Sequence, residues 1–334
     1  MTEEENDYRQ VIVQIWYPAK LIEDTAPAAY FPEVEWVRAG FKSQKGDFPQ
    51  KLAEDFERYN RVLSYSLPGA MIDETENIYP LLLFATGGNM SRHFYTTMME
   101  ELASQGYIVA AISHPYSSMD FFPAGGFLMS SQYWNAPDDA SVEDKEELDE
   151  ELSNYLAADA KFVLDQFSLL NQNDPTGRFT GKINLEKIGI LGHSRGGKTV
   201  SRISSTDDRI KAAVIYDNIG PHPERASGLK QPMMTMRRPW GEAGEESLHG
   251  YLAKTGSYSY EVVLDSASHF TFSDMPIVDP ENYKSEGDPV GNFHLVMDYT
   301  LDFLGKALKG EEGELLETDE NSKGVRVKKF NSLK

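Results

Sequence analysis

The chain has 334 residues, 40% of them hydrophobic and 11% aromatic, which is enough apolar material to bury a substantial core. It has no cysteine, so disulfides, thiolate catalysis and cysteine-ligated zinc are excluded. A net charge of -21 repels nucleic acid and anionic membrane surfaces, and no run of about 18 apolar residues is present to span a bilayer.

Residues Met1 to Glu5 are polar and acidic, with neither a basic nor an apolar region of the kind a secretory leader needs. The expected location is therefore cytoplasmic by default, or exported if a preceding segment is missing. Gln10 to Trp16 (QVIVQIW) reads as a first strand, closed by Pro18. Residues 19–77 read as an insertion or surface layer with one helical stretch around Pro49 to Tyr59.

From Tyr79 the pattern becomes regular. Leu81-Leu82-Leu83-Phe84, bounded by Pro80 and Gly87-Gly88, has the unbroken apolar run of a buried parallel strand. A helix is predicted over about 92–105, because Phe94, Met98 and Leu102 recur every four residues and Gly106 follows. Tyr107 to Ile112 is the next strand. The loop 113–141 is rich in Pro, Gly and aromatics, and Phe121, Phe122, Phe127, Tyr133 and Trp134 are candidates for an apolar pocket wall beside the bland reading of ordinary loop packing.

Glu143 to Leu170 reads as a long helix with acidic residues at its start. Strands are predicted at Lys187–Leu191, Ile210–Tyr216, Met233–Met236 and Tyr260–Leu264, with a closing helix at Phe293–Leu308. Alternating strands and helices imply a mostly parallel sheet covered on both faces. Residues 1–309 read as one domain and 310–334 as a charged tail, with Val325–Phe330 more readily frayed than a strand.

Gly192-His193-Ser194-Arg195-Gly196 fits G-x-S-x-G between a strand and a helix, the context in which the central serine is a nucleophile in the α/β-hydrolase fold. Glycines on either side let strand and helix approach, and the sharp turn lifts the hydroxyl clear of the sheet edge. The same segment, GHSRGGKT, formally matches the phosphate-binding pattern G-x-x-x-x-G-K-[ST]. That pattern normally follows the first strand of its domain, whereas this one lies mid-chain, so the hydrolase reading is preferred.

The fold orders its triad as serine, acid, histidine. Of His222, His249, His269 and His294, only His269 falls between the last predicted strand and the closing helix. For the acid, Asp217 ends strand 210–216 and is favoured over Glu242 or Glu245 in a loose glycine-containing loop; Asp265 reads as a turn residue. The oxyanion donors are predicted as the backbone N–H of Arg195 and that of Gly88, with Asn89 the near alternative.

The segments IWYPA (15–19), PLLLFATGGN (80–89), LASQGYIVAAISHPY (102–116), DAKFVLDQFSLLN (159–171), GRFTGKINLEKIGILGHSRGGKT (177–199), DDRIKAAVIYD (207–217) and HFTFSD (269–274) together resemble the platelet-activating factor acetylhydrolase family. The resemblance implies an α/β hydrolase that cleaves short or oxidised acyl esters without metal or cofactor. It carries Ser194, Asp217 and His269 as triad and Gly88 and Arg195 as oxyanion donors. Thr86 stands where such proteins often have histidine, Arg195 where they have an apolar residue, and the chain opens at what looks like the family's second strand. A general carboxylesterase or polyester hydrolase is the alternative enzyme, and an inactive hydrolase serving as a binding module the alternative without catalysis.

Overall fold

The computed structural model describes residues 8–21, 25–31, 61–121, 127–128, 137, 139–218, 229–284, 287–317 and 324–331, with positions 38, 39, 42, 50, 51, 53, 54, 56 and 59. Strands β1 (Ile12–Trp16), β2 (Tyr79–Ala85), β3 (Ile108–Ser113), β6 (Ile183–His193), β7 (Ile210–Tyr216), β8 (Met233–Arg237), β9 (Ser259–Leu264) and β10 (Val325–Phe330) form one eight-stranded sheet in the order β1-β3-β2-β6-β7-β8-β9-β10. Only the two outermost strands are antiparallel to their neighbours. Strands β4 (Asp120–Phe121) and β5 (Phe127–Leu128) pair as a separate short hairpin.

Every residue of β2 and β3 is buried, as strands without an alternating polar face must be. Successive side chains still point to opposite faces. Leu81, Leu83, Ile108, Ala110 and Ile190 pack beneath α2 (Val142–Gln172), α3 (Arg195–Thr206) and α4 (Glu242–Leu252). Leu82, Phe84, Val109, Ala111 and Leu191 pack against α1 (Thr96–Ser104), the short α5 (Met275–Val278) and α6 (Pro289–Leu304). The chain is an α/β hydrolase in architecture, with its layers legible in the hydrophobic runs.

Strand β2 lies between β3 and β6. The chain moves one way from β2 and the other way after β6, so the carboxyl ends of these two strands mark the switch point where open α/β sheets bind ligands. Gly87-Gly88 follows one and Ser194 follows the other.

Several expected elements differ. The predicted helix over 92–105 opens instead as a 3-10 turn, Arg92–Tyr95, and becomes α-helical only at Thr96. Glu242 and Glu245, expected in a loose loop, sit in the first turn of α4, where acidic side chains meet the positive helix end. Asp265 is in a turn as expected and pairs with Arg326 at 3.0 Å. The closing helix begins at Pro289, whose fixed φ suits a first turn, with Asp288 capping it.

Val325–Phe330, expected to fray, is a strand on the outer side of β9, where Val325 is buried opposite Leu264. Its charges, which made it resemble a solvated tail, meet carboxylates: besides the Arg326 pair, Lys329 meets Glu317 at 2.8 Å. Hydrogen bonds from Lys306, Lys329 and Tyr260 bring the Glu317 carboxyl down to about 2.

The described positions of 50–59 are helical, and described residues of 19–77 reach the core. Phe31 and Phe56 are fully buried in the core cluster that holds α1 and α6. Of the aromatics of the 113–141 loop, Phe122, Tyr133 and Trp134 lie outside the described residues, as do the side chains of Phe121 and Phe127.

Two tyrosines of that N-terminal segment reach the chain just past His269. Tyr30 donates to Asp274 at 2.6 Å and Tyr59 to Asp279 at 2.9 Å. Asp274 is fully enclosed, and burial outweighs its hydrogen bonds from Tyr30 and the Thr97 N–H, so its carboxyl rises from the usual 3.8 to about 6. A raised carboxylate pKa means that folding opposes ionisation: the group costs nothing below pH 3.8 and its full penalty applies above about pH 6. Asp274→Asn keeps an acceptor for Tyr30 and cannot ionise. Its melting temperature relative to the native chain should rise between pH 4 and pH 8, by an amount equivalent to about 2–3 kcal/mol, in calorimetry at several pH values. A constant difference across that range would contradict this account.

Candidate active site

Strand β6 runs into α3 through one residue, Ser194, with φ 52 and ψ -120. The turn needs small neighbours. A methyl group on Gly196 would collide with the carbonyl oxygen of Ala85, and one on Gly192 with the backbone of Gly196. Gly196→Ala is therefore expected to destabilise the fold by about 1–3 kcal/mol, because backbone rather than a flexible side chain must yield, read as a lowered melting temperature. An unchanged melting temperature would show that the turn has slack.

Ser194 N–H donates to Tyr216 O at 2.9 Å, which ties the turn to the end of β7. Its hydroxyl caps no helix amide. Instead Ser194 Oγ lies 2.9 Å from His269 Nε2, and His269 Nδ1 lies 2.5 Å from Asp217 Oδ2. The structure thus brings together the serine, histidine and acid singled out in the sequence. His294 is exposed on α6, His249 pairs with Glu261 at 2.8 Å, and His222 lies outside the described residues. Glu245 is committed to Arg237 at 2.9 Å.

Asp217 continues β7 by one residue with φ 47, and its N–H donates to Met236 O at 2.8 Å. Its side chain is 1% exposed. Burial pushes its carboxyl up, but the hydrogen bonds from His269 and Trp240 and the charge of Arg238 bring it below the usual aspartate value. Trp240 Nε1 donates to Oδ1 at 2.9 Å and Arg238 Nε to Oδ2 at 3.1 Å. Neither Arg238 nor Trp240 was singled out from the sequence. The available signal was position: both follow the carboxyl end of β8, at the same sheet edge as Ser194. With Asn218, Gly241 and His269 they line a cavity of about 490 Å³ next to the triad. A cavity of equal volume along β1 and residues 65–69 includes none of the three.

Gly88 and Arg195 are neighbours in space. A methyl group on Gly88 would come within 2.7 Å of the Arg195 guanidinium carbon, so a side chain there would push the flexible end of Arg195 aside. Arg195 is the first residue of α3, at the positive end of the helix dipole. Asn89, the alternative donor, instead gives its N–H to Ser117 O at 2.8 Å. Asn89, Ser194 and Asp217 are three of the four described non-glycine residues with positive φ, so backbone strain concentrates around this site.

The phosphate-binding reading of GHSRGGKT has no loop to rest on, since one residue separates β6 from α3. Lys198, which would reach a phosphate, is ion-paired with Asp149 of α2. Among the described residues, no group of three or more histidine, aspartate or glutamate side chains could hold a metal ion.

The fold and the elbow define the class of the protein, and comparison with known sequences agrees: residues 80–245 match the α/β hydrolase fold. Residues 1–121 match the family model of platelet-activating factor acetylhydrolase, isoform II. It is 27% identical over 225 residues to the platelet-activating factor acetylhydrolase of Cavia porcellus, covering 57% of this chain and 51% of that protein. It is 26% identical over 238 residues to a probable 1-alkyl-2-acetylglycerophosphocholine esterase of Arthroderma benhamiae, covering 66% and 49%. The chain thus spans about half the length of the curated relatives it matches. A ferulic acid esterase from Streptomyces cinnamoneus shares the fold, with a TM-score of 0.77 over 96% of this chain and 89% of that one at 22% identity. No described helix is long and apolar enough to cross a membrane.

Proposed function

We propose that the protein hydrolyses carboxylic esters through an acyl-enzyme on Ser194, acting on small esters or phospholipids with a short acyl chain. The observation that carries this reading is the unbroken line Ser194 Oγ, His269 Nε2, His269 Nδ1, Asp217 Oδ2, at 2.9 and 2.5 Å. His269 takes the Ser194 proton as Oγ attacks the ester carbonyl, then returns it to the leaving alkoxide. Water repeats the sequence on the acyl-enzyme and releases the acid. Asp217 holds the imidazole in the tautomer that leaves Nε2 free to accept, and stabilises the imidazolium. The N–H groups of Gly88 and Arg195 receive the oxyanion. No metal or cofactor is required by this chemistry.

The short-acyl preference rests on the relatives, whose names specify an acetyl ester. A fluorophosphonate probe should label the native chain stoichiometrically and leave Ser194→Ala unlabelled. Failure to label the native chain, or equal labelling of the variant, would remove the hydrolase reading. A series of nitrophenyl esters of increasing acyl length, beside a choline phospholipid carrying one acetyl group, then tests the substrate: a rate that falls steadily with acyl length supports the short-acyl assignment, and a rate that rises with it opposes it.

A further inference from the structure

His193 precedes the nucleophile and takes no part in the proton transfers above, yet it is buried at 1% exposure between the two loops that flank Ser194. Its Nε2 lies 2.8 Å from the backbone carbonyl oxygen of His269. Its Nδ1 lies 2.9 Å from the Tyr95 hydroxyl, and that hydroxyl oxygen accepts the Gly87 N–H at 3.1 Å.

The proton positions in this chain follow from the chemistry of its ends. A carbonyl oxygen can only accept, so Nε2 carries the hydrogen. In a neutral ring Nδ1 is then the acceptor, and the Tyr95 O–H donates to it. The sequence of donations is Gly87 N–H to Tyr95, Tyr95 O–H to His193, and His193 N–H to His269 C=O. Each group is used once and none is left over.

We propose that His193 and Tyr95 are positioning residues for the ester hydrolysis, one hydrogen-bonded tie that sets the His269 backbone and the Gly87-Gly88 turn in a fixed relation around Ser194. The inference rests on the hydrolase reading of this site. The base and one oxyanion donor come from segments about 180 residues apart in sequence, and displacements of about 1 Å in such groups are enough to lower rates strongly. The tie is tightly packed: a methyl group on Gly87 would lie 3.0 Å from Tyr95 Oη and 3.4 Å from His193 Nδ1.

Charge makes the same point. The His193 and His269 rings are 4.7 Å apart. Burial, reinforced by the His269 charge, takes the His193 imidazole down to about 3, so it stays neutral while His269 is transiently protonated. A positive His193 would both oppose that imidazolium and lose its acceptor for Tyr95.

The test compares His193→Leu, His193→Gln and Tyr95→Phe, with kcat for nitrophenyl acetate expressed per site titrated by fluorophosphonate. His193→Leu should lose about 30-fold or more in kcat with KM changed less than about threefold, because the loss is of alignment and not of binding. His193→Gln, whose amide can still donate to the His269 carbonyl, should recover to within about fivefold of the native rate. Tyr95→Phe should lose about tenfold, and joined to His193→Leu should add little, as expected for one chain of bonds. A merely structural role would lower the melting temperature and the titratable fraction while leaving kcat per site unchanged. That result, or full additivity in the double variant, overturns the proposal. If His193→Leu does not fold, the near-isosteric Tyr95→Phe decides alone: an unchanged kcat per site overturns the tie, and a tenfold loss supports it. An unlabelled native chain instead removes the hydrolase reading itself and the tie with it, so the two failures are told apart.

Discussion

Ser194→Ala should lower kcat for a short-chain ester by about 10⁶-fold, and His269→Ala by a similar factor, because each removes the same nucleophile–base unit. The two losses should not add. Without Ser194 Oγ there is no proton for His269 to take, and without His269 the hydroxyl is not activated at neutral pH. The double variant should therefore hydrolyse the ester about as slowly as either single one, with a residue of catalysis left to the amides of Gly88 and Arg195.

Stability separates this chemical loss from a collapse of the elbow. Ser194 holds φ 52, a conformation that opposes any side chain with a Cβ. Alanine keeps that strain, so its melting temperature should match the native chain. Ser194→Gly should remove the strain and raise stability by about 1 kcal/mol while being equally inactive. Steady-state kinetics beside thermal unfolding of the three variants measures both. A kcat for Ser194→Ala within about 100-fold of native would rule out an acyl-enzyme at this residue.

The candidate site is legible in the sequence wherever its geometry depends on a local pattern. Ser194 was legible because the steric demand of the elbow fixes its glycines. His269 was legible because it follows the last apolar run before the closing helix. Strands β2, β3 and β7 were legible as unbroken apolar runs because burial on both faces forbids alternation. What stayed hidden depends on contacts remote in sequence. Trp240 reads as a loop tryptophan until β8 is laid beside β7 and its indole meets Asp217. Lys328 and Lys329 read as a solvated tail until Glu317 and β9 are placed against them. His193 reads as the variable residue of a motif, since nothing local reveals the His269 carbonyl 76 positions away. Glu242 and Glu245 were misplaced because Gly241 and Gly244 suggest a loop, whereas Gly241 is the cap and Gly244 lies within the helix.

Asp217→Asn should lower kcat by about 10⁴-fold, the size of effect expected when the imidazole is held in the wrong tautomer. The carboxylate accepts from four donors: His269 Nδ1, Trp240 Nε1, and the backbone N–H and Nε of Arg238. Only two of the positions around an asparagine amide can accept from such donors, because its nitrogen donates. If that nitrogen faces His269, Nδ1 becomes an acceptor and the ring hydrogen moves to Nε2, where it blocks removal of the Ser194 proton. If the oxygen faces His269, the NH₂ group faces the donors Trp240 and Arg238, and the imidazolium formed in turnover still lacks its counter-charge.

The substitution isolates this chemistry from the backbone, because asparagine tolerates the φ of 47 at position 217 as readily as aspartate does. The partly exposed Arg238 can hydrate when it loses its partner, so the stability cost should stay near about 1 kcal/mol. Trp240→Phe keeps the ring and removes one donor, and its kcat should fall by only about tenfold. Glu242→Gln and Glu245→Gln should each stay within about threefold of the native rate, since Glu245 already belongs to Arg237. The ordering of these four variants is the test. An Asp217→Asn rate within about tenfold of native, with a large loss at Glu242 or Glu245, would move the acid from the end of β7 to the start of α4. The geometry argues against that outcome on simple grounds: the His269 Nδ1 hydrogen already has a buried carboxylate at 2.5 Å, and a second acid could serve it only by displacing Asp217 from three other donors.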